Sequence, residues 1–251
     1  MRLHVIACRV LTRELSFCCS QCPNTVDTTW LPQGLHDTPT ILRNTIQQAM
    51  DDVLQQVECG RFKHRPDAFA LGYGLCSNGV VGLQTKDIPL VVPRTDDCIA
   101  LFLGSQQRYL ESFQRYPGTY WLNNGWIETA FVPSPQEMER QHQEYIAKYG
   151  EENAEYLMEE MNTWITKYSH CGYISSPVYE CSEHLALAQA VAKAHGLRFH
   201  KLDGNLDLLQ KLLSGRWDEA EFLVCPPNHE ICATYGPDKI KAIPLAGLPL
   251  L

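Results

Sequence analysis

The stretch Asp67–Ser105, DAFALGYGLCSNGVVGLQTKDIPLVVPRTDDCIALFLGS, decides how the chain is read. It contains two short apolar runs, Ala68–Leu71 and Ile88–Val92, each with the length of a buried strand and each bounded by turn residues. The first leads into Gly72-Tyr73-Gly74-Leu75-Cys76-Ser77-Asn78-Gly79, where glycines let the backbone approach something bulky or take up positive φ. The second leads into Pro93-Arg94-Thr95-Asp96-Asp97-Cys98, and Ile99, Leu101, Phe102, Leu103 and Leu110 follow at helical spacing. This spacing predicts a helix from Cys98 to about Tyr116, with Asp97 as its N-cap and Cys98 in the first turn, where the helix dipole favours a thiolate. Ligands of open α/β sheets gather outside the carboxyl ends of the strands, and both thiols are expected there.

Working outward, Leu3–Ala7 reads as a strand ending on Cys8, and a helix from Thr12 stops at Cys18-Cys19-Ser20-Gln21-Cys22-Pro23. Val26–Leu31 is a second strand. Asp37 or Thr38 caps a helix that starts with Pro39 and carries Ile41, Leu42, Ile46, Met50, Val53 and Leu54 on one face. Beyond the quoted stretch, Thr119–Leu122 is a short strand, and Ser134 to about Tyr168 is a Glu-rich helical pair broken near Tyr149-Gly150. A second α/β series follows, with strands at Gly172–Ser175, Leu197–Leu202 and Glu221–Val224 and helices at Cys181–His195 and Asn205–Leu213. Alternating strands and helices predict an α/β fold with a parallel, doubly wound, Rossmann-like sheet. The expected division is an α/β half over 1–130 carrying the cysteine site, a helical excursion over 131–170, and a second α/β half over 171–251.

Composition excludes several classes. A net charge of −8 with no run of Lys and Arg gives no attraction for nucleic acid. No apolar run approaches the roughly 20 residues of a membrane helix, and the N-terminus turns polar too soon for a signal peptide, so a cytoplasmic protein is expected. Eleven cysteines in a reducing compartment do not read as a disulfide framework, and an odd number cannot all pair. The chain lacks GxxxxGK[ST], GxSxG and HExxH, and Gly72-x-Gly74 is not completed to GxGxxG.

What remains is thiols at strand ends. Cys8, Cys76 and Cys98 each follow a predicted strand, and neighbouring parallel strands would bring them to one rim. Three thiolates suit Zn²⁺ with a fourth ligand from elsewhere, or an iron–sulfur cluster with one iron left open. The plainer alternative is that free cysteines simply pack in the core. Around them, His36, Arg94 and Asp97 are the candidate catalytic side chains: His36 as a further ligand or proton carrier, Arg94 as a bidentate clamp on an anionic substrate group or as a charge that stabilises a cluster. Gly72, Tyr73, Gly74, Asn78 and Gly79 form the candidate cofactor-binding loop. Two further groups stand out. Cys18, Cys19 and Cys22 are spaced to fold over the rim as an extra ligand, or are incidental; Cys225, His229 and Cys232 either reach across a cleft or are a buried thiol and a surface histidine.

The strings Leu31-Pro32-Gln33-Gly34-Leu35-His36-Asp37-Thr38-Pro39, Gly72-Tyr73-Gly74-Leu75-Cys76-Ser77-Asn78-Gly79, Pro93-Arg94 through Asp97-Cys98-Ile99, and Pro117-Gly118-Thr119-Tyr120 through Gly125-Trp126-Ile127-Glu128 resemble the family known as domain of unknown function 1638. The resemblance covers most of the chain and includes Cys8, Cys76 and Cys98. It implies occurrence in anaerobic archaea and bacteria that use corrinoid-dependent methyl transfer, and brings no established activity with it. Family members often carry a histidine just before the Asp-Cys pair, where this chain has Asp96. The resulting expectation is a metal or iron–sulfur (4Fe-4S type) cluster at the rim, beside a cleft for a small molecule or corrinoid, serving one-carbon metabolism as an enzyme or as an accessory to a corrinoid methyltransferase. The rival expectation is a metal-free module that holds an anion on its glycine loop.

Overall fold

The structure is a computed structural model, and it describes residues 1–245. In chain order the elements are β1 (Arg2–Cys8), α1 (Thr12–Gln21), β2 (Thr25–Leu31), α2 (Pro39–Glu58), β3 (Ala68–Gly72), β4 (Leu90–Pro93), α3 (Cys98–Leu103) and α4 (Gln106–Arg115). There follow β5 (Thr119–Asn123), α5 (Asn124–Thr129), α6 (Pro135–Tyr149), α7 (Glu151–Asn162), β6 (His170–Ser175), α8 (Ser182–Ala194) and β7 (Arg198–Asp203). The last are α9 (Asp207–Ser214), β8 (Phe222–Cys225), β9 (His229–Ala233) and β10 (Ile240–Pro244). No helix among the described residues is long and apolar enough to cross a membrane.

The expected α/β architecture is present as a mostly parallel sheet of order β2-β1-β3-β4-β8. The first four strands are parallel, with Cys8 opposite Leu31, Ala7 opposite Gly72, and Ala70 opposite Val91. β3 and β4 are buried along their whole length, as strands covered on both faces must be, which is why their sequences are unbroken apolar runs. Helix α2 turns Leu42, Ile46, Met50 and Val53 inward. Each such burial contributes about 1.5–3 kcal/mol.

Three expectations need correction. The helix expected from Cys98 to Tyr116 is two helices, because Gly104 at φ 79° ends α3 in a left-handed cap after six residues. The strand near Glu221–Val224 does not continue a second parallel series. It is β8, and it runs antiparallel along the open edge of β4, with Pro93 opposite Phe222 and Leu90 opposite Cys225. An antiparallel edge strand on a parallel sheet is a common ending, and alternation in sequence carries no information about strand direction. The hairpin of β9 and β10 was not expected at all.

The chain divides into one compact unit of residues 1–109 with 205–251 and another of 110–204. In the second unit β5, β6 and β7 form a parallel three-stranded sheet. Tyr120, Leu122, Cys171 and Tyr173 pack there against Ala188, Val191 and Ala192 of α8. The helical pair falls where the sequence placed it, with Gly150 at φ 81° between α6 and α7.

Candidate thiol-lined site

The strand order 2-1-3-4 reverses between β1 and β3, so the crevice at their carboxyl ends is the topological switch point where ligands of such sheets bind. Cys8 is the last residue of β1, and Tyr73 and Cys76 follow β3. Asp97 and Cys98 follow β4, and His36 follows β2 in a short 3-10 turn. Four neighbouring strands thus deliver His36, Cys8, Tyr73 with Cys76, and Asp97 with Cys98 to one rim.

Local sequence fixes each side chain. Asp97 is the N-cap of α3, its Oδ1 accepting the N–H of Ile99 at 2.9 Å, and Tyr109 donates its hydroxyl to Oδ2 at 3.3 Å. That cap holds Cys98 in the first helical turn. The loop carrying Cys76 is zipped to the loop after β4 by Leu75 N–H to Thr95 O at 2.8 Å and Cys76 N–H to Asp96 O at 2.9 Å. Cys76, Ser77 and Asn78 then adopt three successive left-handed conformations, φ 45°, 59° and 65°. Such conformations cost non-glycine residues roughly 1–2 kcal/mol each and collect at functional sites.

The three thiols share one electrostatic neighbourhood. Burial pushes Cys76 up to about 12, with Asp97 and Cys8 adding to the effect and the N–H groups of Gly74 and Cys98 opposing it. Cys98 is raised well above its ordinary value by burial, then by Cys76, Asp97 and Cys8. Cys8 is raised by burial and eased by the Val10 N–H and by the Tyr73 side chain. Asp97 is also raised, first by burial, while His36 nearby lowers it. Backbone N–H groups thus partly offset the burial of each sulfur, an effect that also tunes metal centres.

Tyr73 lies at the centre. It is 3% exposed, and burial followed by Cys8 and Cys76 raises its hydroxyl. Among the described residues that hydroxyl lies against Cys8 but makes no hydrogen bond of ordinary geometry, and the buried Thr95 hydroxyl likewise has no partner. An orphaned buried hydroxyl costs about 1–3 kcal/mol, so such a group signals something further to bond. The sequence reading placed Tyr73 in the candidate cofactor-binding loop, directly before Gly74-Leu75-Cys76, but could not show that its hydroxyl faces the thiols.

The site also corrects the sequence reading. Arg94 is no anion clamp: its guanidinium donates to the main-chain carbonyls of Glu219, Phe222, Asp238 and Ile240, tying the β9–β10 hairpin to β4. The glycines of the loop do not make room for a ligand. A Cβ on Gly72 would stand 2.5 Å from that of Ala7, one on Gly74 2.8 Å from the Asp97 nitrogen, and one on Gly79 2.5 Å from Leu42. Asn78 is exposed at the loop tip. Asp96 is a hub whose carboxylate accepts from Lys239 Nζ and Gln106 Nε2, both at 2.6 Å.

Two cysteine groups lie elsewhere. α1 starts at the rim and runs back about 15 Å at 1.5 Å per residue, so Cys18, Cys19 and Cys22 sit where β2 begins, with Thr25 N–H bonded to Met1 O. They cannot reach Cys8. Cys225, opposite Leu90 at the far end of β4, is fully buried and pushed up to about 11 by burial, and His229 Nδ1 pairs with Pro227 O at 2.8 Å.

Among the described residues no three His, Cys, Asp or Glu side chains are gathered as a metal ion would need. No curated protein and no solved structure matches the chain. One family does match, over residues 30–213, a span that includes Cys76 and Cys98 and begins after Cys8. The chain belongs to the family described as Protein of unknown function (DUF1638).

Proposed function

We propose that the rim holds an iron–sulfur cluster through Cys8, Cys76 and Cys98. The observation that carries this reading is Tyr73, a buried phenol facing three sulfurs, whose hydroxyl makes no hydrogen bond of ordinary geometry among the described residues. The thiols share an electrostatic neighbourhood without being gathered at a point. A single zinc ion with Zn–S bonds of about 2.3 Å would need them nearly in contact, whereas a polynuclear cluster keeps its thiolates farther apart. When bound, a cluster with three thiolate ligands supplies an open iron for Lewis-acid or electron-transfer chemistry. The chain's own residues would exclude water, aim N–H groups at the sulfurs, and offer the Tyr73 O–H to Cys8.

Geometry disfavours the metal-free anion module. The amides of Leu75, Cys76, Gly79 and Ile99, which such a module would turn outward, are bonded within the protein. The wider role we infer is in methyl-group metabolism, with the open side of the rim taking a small molecule or corrinoid, as an enzyme or as an accessory to a methyltransferase. It rests on the family likeness. A cytoplasmic site of action is part of the same proposal, supported by eleven cysteines that are all free.

The test is isolation without oxygen. The protein should be brown, with a broad visible absorbance that dithionite bleaches, and the colour should be missing from Cys98→Ala. A colourless protein with one zinc per chain would replace the cluster by zinc. A colourless, metal-free protein that takes up neither iron nor zinc would refute the site.

A further inference from the structure

The second cysteine group, at the tail of α1, is independent of the rim. Cys22 N–H donates to Cys19 O at 3.2 Å, closing a turn. Such a turn keeps its end Cα atoms within about 7 Å, and a disulfide bridges Cα separations of about 4.4–6.8 Å. Both residues are half-buried and within reach of a small reagent, whereas Cys18 is only 3% exposed. Cys22 Sγ donates to Leu213 O at 3.1 Å and receives the Asn24 N–H at 3.3 Å, so it is held at the junction of α1, β2 and α9. Cys19 lies beside Cys22 and the Thr28 side chain.

From this geometry we infer that Cys19 and Cys22 form a dithiol–disulfide couple that exchanges with low-molecular-weight disulfides. Cys22 is the attacking sulfur: its thiolate cleaves RSSR, forming Cys22–S–S–R and releasing RS⁻. Cys19 then loses its proton to solvent and attacks the Cys22 sulfur, expelling the second RS⁻. Two protein thiols are oxidised by two electrons, and one RSSR is reduced to two RSH. Burial, and then Cys22, push Cys19 up to about 11, so few Cys19 thiols are ionised at neutral pH. Attack within a closed turn offsets that scarcity through high effective concentration. Closing the disulfide removes the S–H that Cys22 gives Leu213, while Asn24 Nδ2 keeps its own bond to that carbonyl at 2.8 Å. The couple therefore loosens one contact between α1 and α9 and leaves the other.

The experiment uses the reduced full-length chain, glutathione disulfide, alkylation of the remaining thiols and peptide mapping. Exposed Cys59 should acquire glutathione and shows that the reagent is active. In the wild type and in Cys18→Ser, the peptide holding Cys19 and Cys22 should lose two hydrogens, and alkylation of both cysteines should fall by about tenfold. In Cys19→Ser, glutathione should accumulate on Cys22, since no second sulfur expels it. Full alkylation of Cys19 and Cys22 in the wild type would overturn the inference. So would a disulfide that persists in Cys19→Ser, which would assign the pair to Cys18.

Discussion

The two parallel sheets end differently. At the carboxyl ends of β5, β6 and β7 the polar side chains satisfy one another. Asn123 caps α5 through the Trp126 N–H at 2.9 Å, and Ser175 Oγ donates to Asp203 Oδ1 at 3.1 Å. Asn124, 1% exposed, accepts from Tyr173 at 2.6 Å and from His184 at 3.0 Å, and donates to Tyr179 O at 2.8 Å. At the ends of β1, β3 and β4 stand three thiols, a strained turn and a phenol that makes no ordinary hydrogen bond among the described residues. Both rims hold nearly fully buried polar groups, Tyr73 at one and Asn124 at the other, so burial alone does not mark a site. What separates them is whether the buried polar groups are already used.

That contrast can be broken most directly by substitution at the cysteines. Cys8→Ala, Cys76→Ala and Cys98→Ala should each abolish bound metal, whereas Cys171→Ala, in the core of the second sheet, should leave it intact. Metal analysis checks both halves, and equal losses in all four would erase the distinction.

Alkaline pH should strike the second core. Burial raises Cys171 from 9.0 to about 12, so its neutral thiol is favoured in the folded protein. The stabilisation is complete below pH 9 and is lost as pH rises toward 12, because the unfolded chain releases the proton first. The expected slope is about 1.4 kcal/mol per pH unit across that window. Urea titrations between pH 8 and 11 should show a slope to which Cys76 and Cys225 also contribute, and Cys171→Ala should lower that slope by about 1.4 kcal/mol per pH unit.

Asn124→Ala sharpens the comparison from the satisfied side. It removes the acceptor used by Tyr173 and His184 and should cost about 2 kcal/mol with no change in metal content. Lys239→Met cuts the clasp between the hairpin and Asp96 and should cost about 1 kcal/mol, with faster metal loss under chelator. Lys239→Arg should restore retention. Tyr73→Phe should not destabilise the metal-free chain and should stabilise it by about 1 kcal/mol, because it removes a buried hydroxyl that makes no ordinary hydrogen bond among the described residues, yet it should shift the visible spectrum or reduction potential of the loaded protein.

Sequence alone locates the rim because the signals there are local. Strand-length apolar runs, the Asp97 cap and the Cys98 turn all follow from neighbours within a few residues. It misses what depends on distant partners. Arg94 looks like an anion clamp until the hairpin carbonyls of Asp238 and Ile240 arrive from the far end of the chain. The loop glycines look like a cradle until Ala7, Leu42 and Asp97 are seen against them. The direction of β8 is set by the open edge of β4, and the position of Cys18, Cys19 and Cys22 by the length of α1, neither of which a motif encodes.

Iron and acid-labile sulfide, counted per chain after anaerobic isolation of wild type and Cys76→Ala side by side, test the central claim most directly. The account predicts iron and sulfide in matched amounts in the wild type and neither in the variant. A wild-type chain that binds neither, even when supplied with ferrous iron and sulfide under reducing conditions, would contradict it.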